Sequence, residues 1–175
     1  DSRIFTSCNA WASLLSSISL DNKVQVEFFY ENDPTLNVWK NKLTNIHIHA
    51  NSDDQPKIYS FSFDKYSDSR LRLTGLEEQN LNGSIKGKKY SFNYNGNNIG
   101  QFGSKSTDRF GYYNGSSGVS NIPNSIIMPP SGTIFSGGRD RDINDNWITA
   151  GILNEIVYPT GGKTKFYYEA NKDVE

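Results

Sequence analysis

Residues 151 to 169 read GILNEIVYPTGGKTKFYYE. Ile152, Ile156 and Tyr158 share a period-two phase with polar residues such as Asn154, and lead into the turn residues Pro159-Thr160-Gly161-Gly162. Thr164, Phe166 and Tyr168 alternate on the way out. Alternation on both sides of a Pro/Gly turn predicts an antiparallel hairpin. One hairpin cannot bury its own apolar face in water, so the rest of the chain has to supply neighbours.

The neighbours are visible as internal repeats. SISLDNKVQVEFFYE at 17–31 aligns without a gap on EIVYPTGGKTKFYYE at 155–169. Ile18 falls on Ile156, and Phe28-Phe29-Tyr30-Glu31 falls on Phe166-Tyr167-Tyr168-Glu169. A third copy runs from Leu43 through Ile46 to Phe61-Ser62-Phe63-Asp64, and a fourth from Leu73 through Leu76 to Phe92-Asn93-Tyr94-Asn95. Each copy opens Leu-x-x-Ile or Leu-x-x-Leu and closes with two aromatics one residue apart, followed by Glu, Asp or Asn. The predicted hairpins occupy about 14–31, 43–64, 71–95 and 151–169. Phe28/Tyr30, Phe61/Phe63, Phe92/Tyr94 and Phe166/Tyr168 are expected as aromatic ladders on one side of a sheet. In the first hairpin Leu14, Ile18, Leu20, Val24, Val26, Phe28 and Tyr30 all take even positions, which predicts one shared face. A bulge is expected near Gly75, where the phase of Leu71 and Leu73 slips to Leu76.

The fold class is therefore all-β, an antiparallel sheet or sandwich of repeated hairpins, with a long irregular insertion and at most one short helix. Residues 1–175 form a single β-rich domain, and the opening Asp1 reads as the start of an excised or processed piece of a larger chain. Residues 1–13 hold Ile4, Phe5 and Trp11 without clear period and read as an edge strand or a lead-in, and the link from Asn32 to Lys42 offers Val38-Trp39 as a cap on the core.

A net charge of −1 argues against nucleic acid or an anionic membrane as partner, since both require a basic face. No run of about 20 apolar residues is present, so no direct membrane insertion is expected. The lone Cys8 cannot form an internal disulfide and reads as a small packed side chain.

The insertion at 96–150 is rich in Gly, Asn and Ser and carries the aromatic island Phe110-Gly111-Tyr112-Tyr113-Asn114-Gly115. Loops of this length inside a compact domain are usually functional or poorly ordered. Asp142, Asn144 or Asp145 is placed to cap a short helix holding Trp147, Ile148 and Ala150, with Gly151 as its stop. Trp39, Tyr112, Tyr113 and Trp147 are candidate stacking platforms for a sugar, with Asn114 among the nearby hydrogen-bonding groups. Asp140, Asp142 and Asn144 alternate oxygen ligands as a calcium loop does. The turn glycine of such a loop is replaced by Asp145 and its last ligand by Gly151, so capping and turn formation are the preferred reading and no metal is expected. His47 and His49 lie two apart on a predicted strand without a third ligand, and Glu77-Glu78 sits on a hairpin arm. Both pairs are read as solvated strand residues. The chain has no Gly-x-Ser-x-Gly elbow, phosphate loop or HExxH, so no enzyme is expected.

The YPTGG turn at 158–162 with its Tyr168-Glu169 ending resembles the tyrosine-aspartate (YD) repeat of the rearrangement hot spot (RHS) family of large bacterial surface and toxin-carrying proteins. Asp108-Arg109-Phe110-Gly111-Tyr112-Tyr113-Asn114-Gly115, then Asp140-Arg141, then Ala150-Gly151-Ile152-Leu153, is similar to the segment upstream of the repeats in Bacteroidetes-type members. The resemblance covers roughly 43–169. It implies a β-rich scaffold on the bacterial outer surface or secreted, with no cofactor, whose partners are neighbouring repeats or domains of the same polypeptide. The functional expectation is a non-catalytic structural or interaction module. The alternative is a carbohydrate-binding module, with a glycan or another surface protein as partner.

Overall fold

The computed structural model describes residues 13–21, 23–36, 40–49, 55–79, 85–96, 99–117, 125–128, 133–136 and 140–170. Among the described residues there are ten strands: β1 (Ser17–Leu20), β2 (Lys23–Asn32), β3 (Asn41–Ile48), β4 (Lys57–Lys65), β5 (Leu71–Gln79), β6 (Ile85–Tyr94), β7 (Ser125–Met128), β8 (Thr133–Ser136), β9 (Leu153–Val157) and β10 (Lys163–Lys165). Eight of them form one antiparallel meander in the order β1-β2-β3-β4-β5-β6-β9-β10, while β7 and β8 pair separately. The four predicted hairpins are thus β1-β2, β3-β4, β5-β6 and β9-β10, side by side. The insertion leaves the sheet after β6 and returns in β9, the strand that β6 pairs with.

The Leu-x-x-Ile spacing has a structural cause. At the β2·β3 junction Phe28 opposes Ile46, Phe29 opposes Asn45 and Tyr30 opposes Leu43, which leaves Thr44 as an extra residue. At β4·β5 Phe61 opposes Leu76 and Phe63 opposes Leu73, with Thr74 extra. At β6·β9 Phe92 opposes Ile156 and Tyr94 opposes Leu153, with Asn154 extra. A bulge inserts one residue into one strand, so two aliphatic residues three apart meet two aromatics that are two apart. The bulge expected near Gly75 lies at Thr74, and the same device recurs at each boundary between hairpins.

These registers place the aromatic ladders on one face. Phe28, Ile46 and Tyr59 follow one another across the strands, as do Phe61, Leu76 and Tyr90, and Phe92, Ile156 and Thr164. The strict even-position rule for the first hairpin does not hold throughout. Ile18 opposes Val26, but the register then slips so that Ser19 opposes Val24 and Leu20 opposes Lys23. A slip of one residue exchanges the faces, which simple alternation could not register.

Three hairpins carry a further bond. Tyr30 donates its hydroxyl to the Leu15 carbonyl at 3.1 Å, Tyr94 to that of Leu73 at 2.7 Å, and Tyr168 to that of Leu153 at 2.6 Å. In each case the second aromatic of a hairpin binds the leucine that opens it. Beside Leu73 and Leu153 a bulge disturbs the ladder, and the phenol supplies the carbonyl with a donor. Phe63 holds this place in the second hairpin and has no hydroxyl to give.

The sheet is one layer and its core is thin. Among the described residues the buried apolar side chains are Leu36 and Ile58, and the junction aromatics of the interior strands are half-buried. Leu36 lies in the β2–β3 link beside Asp33, whose carboxylate is 2.7 Å from Lys65 Nζ and accepts from Thr35 N at 3.1 Å. Val38 and Trp39, expected as a cap on the core, lie outside the described residues.

Candidate functional site

Residues 99–117 and 140–151 form one loop cluster that holds most of the candidate residues. Asp108 is 1% exposed, and its Oδ1 accepts from Phe110 N at 2.8 Å and Tyr112 N at 3.0 Å. Its own amide donates to Tyr112 O at 2.7 Å, so residues 108–112 close into a tight turn around one carboxylate. Asp and Asn favour such turns because their side chains reach their own backbone two residues on. Arg141 donates to the Asp108 carbonyl at 2.9 Å and joins the two halves of the cluster.

Asn114 is 4% exposed. Its Nδ2 donates to the carbonyls of Asp140 at 3.1 Å and Asp142 at 3.2 Å, and its Oδ1 accepts from Ser116 N at 3.1 Å. The amide is committed to holding the loops together. Tyr113 and Trp147 meet edge to face, with centroids 5.4 Å apart at 81°. Gly100 leaves room for the Tyr113 ring, which a Cβ would meet at 2.6 Å, and a Cβ on Gly115 would fall on Trp147 Nε1. Both rings are wedged among backbone, whereas Tyr112 is 43% exposed. The structure therefore brings Tyr113, Asn114 and Trp147 together as packing groups and leaves Tyr112 as the open ring. Trp39 lies outside the described residues.

The calcium-like residues are also spent on turns. Asp140 Oδ1 accepts from Asp142 N at 2.7 Å, and Asn144 Oδ1 accepts from Asn146 N at 3.1 Å. Asp142 is 3.5 Å from Arg109 Nη2 with its side chain 81% exposed. Among the described residues no group of three or more His, Cys, Asp or Glu is placed to hold a metal ion. The helix expected after Asp142 is instead a run of turns: Trp147 N bonds Asn144 O at 2.9 Å and Ala150 N bonds Trp147 O at 2.9 Å. Asn and Asp side chains that bind nearby amides compete with helical hydrogen bonding. Gly151, at φ 73°, stops the run as expected.

The cluster is fastened to one end of the sheet. Tyr66, in the β4–β5 turn, donates to Gly151 O at 2.8 Å, and Asp68 Oδ2 accepts from Phe102 N at 2.9 Å. Arg70 donates to Gly100 O. Tyr66 also stacks on Arg72, whose guanidinium carbon is 5.1 Å from its ring centroid and 5.9 Å from that of Tyr94. Burial pushes the Tyr66 and Tyr94 phenols upward, partly opposed by Arg72.

On the polar face, His49 Nε2 lies 3.0 Å from Glu27 Oε2, and His47 stacks on Phe29 with centroids 4.3 Å apart. Burial lowers the His47 pKa, with Glu27 opposing and His49 adding to the shift. Of the candidate carboxylates on the hairpin arms, Glu78 pairs with Lys88 at 3.4 Å. Those two residues rim a groove of about 530 Å³ walled by Tyr59, Leu76, Tyr90 and Tyr158. A second concavity, of about 640 Å³, is lined by Asn93, Asn95, Asn154 and Glu155. Its Glu155 carboxylate is engaged by Asn93 at 3.1 Å and by Lys163 at 3.5 Å.

The outer strands are the residues that reading for chemistry passes over. Leu15 and Ile18 are 53% and 48% exposed at one edge, and Phe166 and Tyr168 are 37% and 42% exposed at the other. Their equivalents at the interior junctions are all half-buried. The signal for them was present in the repeat itself, whose first opening motif lies at 15–18 and last closing motif at 166–168. Comparison with protein-family models, with curated proteins and with solved structures returned no match, so the functional reading stands on this geometry.

Proposed function

We propose that this chain is a non-catalytic structural and interaction module, a short array of hairpins within a larger surface-exposed or secreted protein of the kind the YD-repeat resemblance implies. One observation carries the reading: the same aromatic-to-aliphatic bulged register recurs at β2·β3, β4·β5 and β6·β9. An array in which each unit contacts only its neighbours is extended by adding units, and it offers long edges and faces instead of one deep pocket. The polar side chains of the cluster support it, because Asp108, Asp140 and Asn144 bind backbone of their own turns and Asn114 binds backbone of the facing loop.

The reading is tested on the full-length polypeptide. Protease shaving and surface biotinylation of intact cells are expected to reach it, and excision of residues 14–169 is expected to abolish its assembly on the surface. A protein inaccessible from outside, or an excised form displayed and assembled as before, overturns the proposal.

A further inference from the structure

The three interior junctions follow one rule, and the two edges of the sheet are the two halves of that rule left apart. Each junction joins the closing strand of one hairpin, with two aromatics one residue apart, to the opening strand of the next, with Leu-x-x-Ile or Leu-x-x-Leu. β10 leads into Phe166-Tyr167-Tyr168 and, among the described residues, has no strand on its outer side. β1 follows Leu15-Ser16 and, among the described residues, likewise has none.

The two edges are already shaped as at an interior junction. Phe28 N bonds Ser16 O at 2.9 Å in the first hairpin, and Phe166 N bonds the equivalent Asn154 O at 2.9 Å in the last. Tyr30 and Tyr168 bind the carbonyls of Leu15 and Leu153 in the same way. Asn154 is the bulge residue of β9 where β9 meets β6, so Ser16 stands ready as the bulge residue of β1. The direction also fits: an even number of antiparallel strands leaves β10 running opposite to β1.

We propose that the outer side of β10 takes up β1 of a second copy of this chain, head to tail, in the register of the interior junctions. Phe166 then opposes Ile18 of the second copy and Tyr168 opposes its Leu15, with Ser16 bulged. The same register sets Lys165 opposite Ser19 and Lys163 opposite Asp21, so no like charges meet. The occupant is a second copy because β1 is an opening strand with, among the described residues, no strand on its outer side, and because the pairing continues an interface the fold already uses three times. Such a contact is heterologous: it leaves one edge free at each end and builds open chains or rings. The inference rests on the hairpin-array reading and adds its partner.

The experiment is sedimentation velocity across a concentration series, on the wild type and on two variants, Ile18→Asp and Phe166→Asp, each of which blocks one edge. The wild type is expected to form larger species as concentration rises. Each variant alone is expected to associate at least about tenfold more weakly. An equimolar mixture of the two is expected to form a 1:1 dimer, since each contributes its intact edge. A wild type that stays monomeric to about 1 mM overturns the proposal. So does either variant dimerising alone, which indicates symmetric pairing, or a mixture that behaves as its separate parts. Far-UV circular dichroism verifies the fold, and Ile18→Thr with Phe166→Thr repeats the mixing if the aspartates disturb it. A folded monomer defeats the head-to-tail contact and leaves the array reading standing; loss of surface assembly is decided separately on the full-length protein.

Discussion

At the scale of single residues the most informative groups are three tyrosine hydroxyls. In the sequence Tyr30, Tyr94 and Tyr168 look interchangeable with Phe63, because all four supply the second ring of a closing motif. What separates them is what the ring tip reaches, since the three hydroxyls bind the carbonyls of Leu15, Leu73 and Leu153. That distinction could not be read from alternation, which describes which face a side chain takes and not what its tip reaches. Tyr94→Phe keeps the ring and its contact with Arg72 and removes the donor. It is expected to cost about 1 kcal/mol in urea unfolding, the usual net worth of such a bond. Tyr168→Phe is expected to cost less, because Tyr168 is 42% exposed and water can replace the hydroxyl. An unchanged unfolding midpoint for Tyr94→Phe shows that the bond contributes nothing to stability.

Between residues and the whole lie the hairpins, and these were legible for a physical reason. Leu-x-x-Ile and paired aromatics are the two sides of a single junction, so every interior boundary writes its register twice in the sequence. The loop cluster was legible in composition but not in role. Asn114 acts on carbonyls 26 and 28 residues away, and no local pattern announces that. The run at 144–151, where a helix was predicted, closes instead in short turns, with Asn144 Oδ1 taking the Asn146 amide and Trp147 and Ala150 bonding three residues back. The β2–β3 link shows how such a short element is held. Lys65 foremost, then Thr35, keep the Asp33 carboxyl well below the usual carboxylate range. A depressed pKa means the contribution to stability is fully present above the unfolded value of about 3.9 and is lost as pH falls from there toward the folded value. Asp33→Asn is therefore expected to lower the denaturation midpoint at pH 7, and the gap to wild type is expected to narrow as pH falls below about 4. Asp64, held low by its hydrogen bond with Arg72, drains in the same direction. A gap that is constant from pH 7 to below the normal carboxylate range contradicts the Asp33–Lys65 latch.

For the whole molecule the decisive fact is that, among the described residues, contacts between strands run between neighbours in a sheet. A globular core couples distant elements, so that it opens as one unit; a one-layer array has only junctions to transmit stability. Opening is then cheapest at the ends, where β1 has four residues, β10 has three, and each has, among the described residues, a strand on one side only. Native-state hydrogen exchange is expected to show protection rising from both edges to a maximum in β4 and β5, whose shared junction extends over eight opposed pairs. Equal protection from β2 through β9 means that the sheet unfolds as a single cooperative block, and the array description is then wrong. The same measurement reaches the proposed head-to-tail contact from a different side. A β10 strand seated against β1 of a second copy has neighbours on both sides, as β2, β4 and β6 do. Its amides and those of β1 should then gain protection together as protein concentration rises, while β4 and β5, already enclosed, should not change. Gain at one edge alone is the signature of symmetric pairing, in which like edges meet, and it separates the two geometries without any substitution in the chain.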